Sequence, residues 1–140
     1  MQEKLKQATY KAGRNLWKMF PIILGTILLV SLISALVPQS FYSRIFTGNH
    51  FFDPFIGSLI GSISAGTPLI SYIIGGELLK QGIGLLAVTA FLVAWVTVGI
   101  VQLPAEMMVL GKKFALLRNL ISFVFAIIVA IITILIFNLI

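Results

Sequence analysis

The sequence predicts an all-α integral membrane protein: about three transmembrane helices plus a broken or re-entrant helical hairpin, paired as a homodimer. Three observations predict it. With a mean hydropathy of +1.10, 59% hydrophobic residues and only 10% charged ones, the 140-residue chain carries more apolar surface than a soluble domain of its size hides. Its apolar residues also gather in runs long enough to cross ~30 Å of hydrocarbon. One further stretch, residues 54–84, is equally membrane-compatible, yet glycine, proline and serine interrupt it and it holds a single carboxylate, Glu77.

The net charge of +6 belongs to topology and not to nucleic-acid binding, because the basic residues flank hydrophobic runs, where positive charge sets membrane orientation. There are no cysteines and one histidine, so thiolate chemistry and His-rich metal sites are absent and no cofactor is implied. No nucleophile–base set, phosphate loop or paired carboxylate pattern is present, which argues against an enzyme.

Residues 1–18 form a basic N-terminal segment ahead of a single membrane domain, 19–140. Lys4, Lys6, Lys11, Arg14 and Lys18 alternate with Leu5, Tyr10, Leu16 and Trp17, a pattern that suits a short interfacial helix or a basic tail that sets orientation. Phe20–Val37 is the first span, about 27 Å at 1.5 Å per residue, with Pro21 in its first turn, where a missing N–H is harmless. A signal peptide starts similarly, but the run is too long and no convincing cleavage site follows. Pro38 ends the span, and 39–53 reads as a polar–aromatic connection along the membrane surface, with Phe41, Tyr42, Ile45 and Phe46 between Ser43, Arg44 and Thr47. His50 in this loop reads as a solvated residue, with proton exchange with Asp53 as the alternative.

Asp53-Pro54 signals a helix start, with the aspartate as cap. The helix body, 55–65, places Gly57, Ser58, Gly61, Ser62 and Ala65 on one small face that another backbone can approach, in a second copy or in a repeat. Gly66 breaks this helix, Thr67 caps the next one, and Pro68 takes its first position. Both pieces, 53–65 and 68–80, are too short to cross alone. Leu85–Leu103 reads as a second full span with Trp95 packed internally or lining a cavity, Gly111-Lys112-Lys113 as a basic turn, and Asn119–Ile140 as a last span facing lipid.

Charge distinguishes a hairpin from a tilted crossing. With 53–80 re-entrant and the N-terminus cytoplasmic, eight basic residues lie inside and two outside; a single crossing gives six against four. The positive-inside rule favours the hairpin, with the C-terminus on the side opposite the N-terminus.

The candidate pathway follows from the break. A second half-helix beginning inside the membrane points its positive dipole end and free N–H groups at a pocket, where Thr67, Pro68, Ser71 and Tyr72 would meet a small polar or anionic solute or an ion. Thr67 and Ser71 share a face as an i, i+4 pair; the alternative is that Thr67 only caps and Ser71 bonds back to a carbonyl. Gly66, Gly75 and Gly76 make the segment deformable. Glu77 is either a titrating, proton-coupling group or the partner of Lys80 at i, i+3. Gln102 and Glu106, around Pro104, form a second polar cluster, and Pro104 would free a carbonyl near residue 100 if the helix ran through it.

Residues 66–82, from Gly66-Thr67-Pro68 through Gly75-Gly76-Glu77-Leu78-Leu79 to Gly82, and then Ala87–Trp95, resemble the predicted-permease family of YraQ-like, ArsP-related proteins. The resemblance covers about 55–110 and is strongest over 66–95. Pro68, Leu78-Leu79, Gly82 and Phe91-Leu92-Val93-Ala94 stand at matching places, while Ser71 and its neighbours stand where a thiol is expected and Trp95 replaces a proline. The missing thiols argue against trivalent arsenicals as substrates. Longer relatives carry two such repeats, so the resemblance implies a half-size permease that pairs with a second copy in the cell membrane, multi-pass among lipid. The competing reading is a non-transporting membrane scaffold or partner subunit.

Overall fold

The computed structural model describes residues 2–64 and 66–139, and the side chains of all of these except Gln2, Lys4, Leu5, Gln39 and Ser43. Ala65, expected on the small face of the first half-helix, lies outside the described residues. The described residues form seven helices and no strand: α1 (Gln2–Leu36), α2 (Gln39–Ile45), α3 (Phe52–Ile63), α4 (Pro68–Lys80), α5 (Leu85–Thr97), α6 (Leu103–Leu110) and α7 (Lys112–Phe137). They group into two compact units, Met1–Leu36 and Val37–Ile140.

The first unit is one 35-residue helix, about 52 Å long at 1.5 Å per residue. Pro21 therefore sits well inside a helix, not in its first turn. It removes the bond its own N–H would give to Trp17, but the helix continues on both sides of it. Trp17 and Phe20 stack at 6.3 Å beside the proline, and Thr26 returns its hydroxyl to the Ile22 carbonyl at 2.8 Å, so the polar side chain leaves no stray donor.

In the second unit α5 is the hub, packing against α3, α4 and α7, while α6 packs on α7. Small residues make the closest contact. A Cβ on Gly57 would overlap the carbonyl oxygen of Ala87, and one on Gly61 would overlap that of Phe91 and approach the Trp95 nitrogen at 3.1 Å. The two helices therefore run parallel in backbone-to-backbone contact. The small face expected at a contact with a second copy or a repeat is used, at Gly57 and Gly61, within the chain itself.

Other expectations change in the same way. Asp53 is not the cap of α3: the helix starts at Phe52 with Phe51 at the cap position, and the buried Asp53 carboxylate accepts the Thr47 and Gly48 amides at 3.0 and 2.9 Å, bracing the preceding loop. The connection expected on the membrane surface contains α2, whose Tyr42 and the following Phe46 pack on Ile83, Ala87 and Val88. The last helix begins at Lys112 after Gly111, whose φ of 88° suits glycine. It is not wholly turned outward: Ala115, Asn119, Ala126 and Ala130 form a buried stripe, and Ala126 joins Ala94 and Val98 in a core cluster.

Of the three expected spans, two are continuous helices long and apolar enough to cross a membrane, within α1 and α7. The third is not. The run 85–103 stays helical only to Thr97, and five residues, Val98–Gln102, separate α5 from α6. Pro104 consequently stands in the first turn of α6, where it costs no helix bond, and does not interrupt a longer helix.

Candidate functional site

Two interrupted helices meet in the second unit. The first interruption, between α3 and α4, begins at Ser64, which leaves the helical conformation at ψ 142° and returns its hydroxyl to Ile60 at 2.7 Å. The second begins at Val98, with ψ 100°. The two are tied together: the Ile100 amide donates to the Ser62 carbonyl at 3.3 Å, and the Trp95 indole N–H donates to the Gly66 carbonyl at 3.3 Å. Each bond runs from one broken helix to backbone freed by the other. Parallel packing of α3 on α5 brings both helix ends to the same level and so makes these bonds possible.

Trp95 is built into this junction. Its ring meets Phe91 edge-on at 5.4 Å and lies close enough to Gly66 that a Cβ there would sit 3.1 Å from the ring. A cavity of about 350 Å³ opens beside it, lined by Phe41, Phe46, Ile60, Ser64, Ile74 and Trp95 among others. Its walls are largely apolar and aromatic.

The sequence-predicted residues fall in three places. Thr67 stands at the N-cap position of α4 with extended backbone, but its side chain makes no capping bond; it is exposed and its carbonyl accepts the Ile70 amide at 3.0 Å. Pro68 occupies the first turn, Ser71 is fully buried and returns its hydroxyl to the Pro68 carbonyl at 2.7 Å, and Tyr72 is 60% exposed. Ser71 thus takes the carbonyl-bonded alternative. Gly75 packs under Leu92 and Val88, whereas Gly76 faces open space. Glu77 lies towards the other end of α4, 3.4 Å from the Lys80 ammonium and 3.3 Å from the Gln81 amide nitrogen. At the second interruption, Gln102 reaches back over Gly99 and its carbonyl accepts the Glu106 amide at 3.1 Å. Glu106 is ion-paired with Arg118 of α7. The structure therefore groups Gly66, Thr67, Pro68 and Ser71 at one break and Gln102 at the other, and holds Glu77 apart from both.

A second cavity, of about 390 Å³, is lined by Tyr42, Asp53, Gln81 and Gly84 among others. The beginning of α3 and the end of α4 thus line one space. A third, also about 390 Å³, brings His50 and Asp53 beside Phe137 and Asn138, so the end of α7 returns to the same region.

The sequence shows the first break in Gly66-Thr67-Pro68, whereas the second falls inside the run 85–103 expected to span. The stretch 98–102 has no proline of its own and one glycine; Pro104 just beyond it has no N–H for the Ile100 carbonyl, and the Ile100 amide donates to Ser62 instead. No curated protein and no solved structure matches the chain. The family described as predicted permease matches residues 4–139, almost the whole chain, and with two long apolar helices and a pair of interrupted ones this chain belongs to that predicted-permease family.

Proposed function

We propose that two copies of this chain form a small permease whose pathway passes the junction of the two interrupted helices and carries a small polar or anionic solute or an ion. The observation that carries this reading is the pairing of the breaks through Ile100–Ser62 and Trp95–Gly66. At membrane depth, irregular backbone is tolerated only where protein or a water-filled cavity covers it, and transporters place their sites where discontinuous helices face each other. The α4 N-terminus adds a positive dipole end beside the junction, which suits an anion. Reconstituted in liposomes, the protein is expected to speed entry of at least one of chloride, sulfate and acetate over protein-free vesicles. Equal rates for all three overturn the anion reading.

The scaffold reading draws support from one contact, the Glu77–Lys80 pair, which occupies the carboxylate locally. Under the permease reading Glu77→Gln is expected to leave flux within about twofold, because an i, i+3 pair whose lysine is exposed contributes only ~0.3–0.5 kcal/mol. A complete loss of flux in a folded Glu77→Gln protein would instead give that carboxylate a coupling role.

The α3–α4 segment is proposed to be re-entrant. The shared cavity of Asp53 and Gln81 supports a return to the starting side, and the basic cluster Lys112, Lys113 and Arg118 supports a cytoplasmic α6–α7 corner. The chain has no cysteine, so single substitutions report directly. His50→Cys and Asn138→Cys are expected to react with an impermeant maleimide on intact cells, and Lys113→Cys only after permeabilisation. Labelling of positions 50 and 113 from one side would rule out the re-entrant arrangement.

A further inference from the structure

The buried carboxylate of Asp53 belongs neither to the junction nor to an ion pair. Asp53 is 6% exposed, and its two oxygens each accept one backbone amide, from Thr47 and from Gly48. A carboxylate offers about four acceptor positions, so two amides leave room for a further donor. Both amides are neutral, and the ion pairs formed among the described residues, Glu77–Lys80 and Glu106–Arg118, do not include Asp53. Buried charges are as a rule paired.

Asp53 lines both cavities of about 390 Å³, and four helix ends meet around them. The starts of α3, at Asp53, and of α5, at Gly84, bring positive dipole ends; the ends of α4, at Gln81, and of α7, at Asn138, bring negative ones. The helix ends therefore balance, and the charge of Asp53 sets the sign of the space. Among the described residues no lysine or arginine lines either cavity; the other ionisable side chains there are Tyr42 in the first and the exposed His50 in the second.

The first cavity decides which cation fits. Tyr42, Phe46 and Ile83 give it an aromatic and aliphatic wall in the same space as the carboxylate, and a bare alkali ion would fill only a small part of it. Calcium takes six to eight oxygen ligands, several of them usually carboxylates, and among the described residues no three of His, Asp and Glu stand together. An alkylammonium uses both features of the space. Its N–H groups donate to the carboxylate, its carbon body lies on the apolar wall, and the two aromatic rings add cation–π attraction.

We propose that Asp53, Tyr42 and Phe46 form a binding site for a small organic ammonium ion, separate from the junction of the interrupted helices. Asp53 supplies the charge and the acceptor, and the two aromatic side chains select a carbon-bearing cation over a hydrated metal ion. The site goes beyond the permease reading and does not depend on it, because binding is measurable without flux.

Butylammonium is the probe, with butan-1-ol as its uncharged counterpart and sodium as the bare cation. Each is titrated by calorimetry into the full chain in nonionic detergent and potassium phosphate buffer, which contains no competing amine. Butylammonium is expected to bind saturably, and the alcohol and sodium at least about tenfold more weakly, the factor set by a charge-assisted hydrogen bond. Asp53→Asn, which keeps an acceptor for the loop amides, is expected to weaken butylammonium by about tenfold or more, and Tyr42→Leu by about threefold. Binding of butan-1-ol or of sodium as tight as that of butylammonium overturns the proposal, as does butylammonium affinity unchanged in Asp53→Asn. Should Asp53→Asn not fold, the three titrations of the wild type decide alone. Butylammonium binding without anion flux in vesicles would leave this site standing and remove the permease reading, whereas flux without butylammonium binding would remove the site alone.

Discussion

Gly61→Leu is expected to prevent formation of the folded protomer, not to dissociate a pair of protomers. The added Cβ would fall on the Phe91 carbonyl oxygen, with the Trp95 nitrogen at 3.1 Å and the Ala94 methyl at 3.2 Å. Two of these three atoms are backbone, and no rotamer change moves backbone aside. Inserting a methylene into a packed core already costs about 1–3 kcal/mol where side chains can shift. Here α3 and α5 would have to separate, breaking the Ile100–Ser62 bond that joins the interruptions. Gly61→Ala is expected to lower the melting temperature by several degrees at a cost of at least ~2 kcal/mol, and Gly61→Leu to yield little monodisperse protein in detergent. The measurement is thermal unfolding followed by tryptophan emission, together with mass by light scattering. A Gly61→Leu protein with wild-type melting and a smaller oligomer would return this face to a contact between copies.

That outcome also bears on how far the chain could be read in advance. The starts of α3 and α4 were legible because local chemistry sets them: Asp53-Pro54 lies in the first turn of one and Thr67-Pro68 starts the other, while α3 ends at Ile63, before the expected Gly66. The partner of the small face was not legible. Gly57 and Gly61 at i, i+4 announce close approach by a backbone, but spacing on one helix does not say whether that backbone belongs to the same chain. Ala87, Ala90 and Ala94, fully or almost fully buried on α5, complete the contact inside the protomer.

The α5–α6 interruption shows the opposite limit. From Leu85 to Leu103 hydropathy is continuous, and apolar composition alone cannot locate a break that tertiary hydrogen bonds sustain. Ser62 is the acceptor for Ile100, 38 positions away along the sequence, and nothing local signals the pairing. Pro21 is the mirror case. A proline early in an apolar run reads as a helix start, yet α1 runs through it. At Asn119 the sequence shows an isolated polar residue that could simply mark the end of a span, and only the buried stripe of α7 turns it into an unsatisfied interior amide.

Trp95→Phe is expected to reduce flux about tenfold while lowering thermal stability only modestly. Phenylalanine keeps an aromatic edge against Phe91, 5.4 Å away in the wild type, but removes the single N–H that reaches Gly66. The two effects depend differently on what surrounds the break. Facing hydrocarbon, a freed carbonyl would go unsatisfied at several kcal/mol, and the protein should be severely destabilised. In a water-filled pathway, solvent takes over the Gly66 carbonyl and the net loss falls to about 1 kcal/mol. Gly66 is then no longer held at a fixed distance from α5, and a displacement costing the transported species ~1.4 kcal/mol suffices for the tenfold change in rate. Hydrogen exchange should rise at residues 66–70 and remain unchanged in α7. Melting lowered by more than about 10 °C, equivalent to more than ~2 kcal/mol for a chain of this size, would place the break against lipid and defeat the pathway, while unchanged flux with unchanged exchange would show that Trp95 does not hold the junction together.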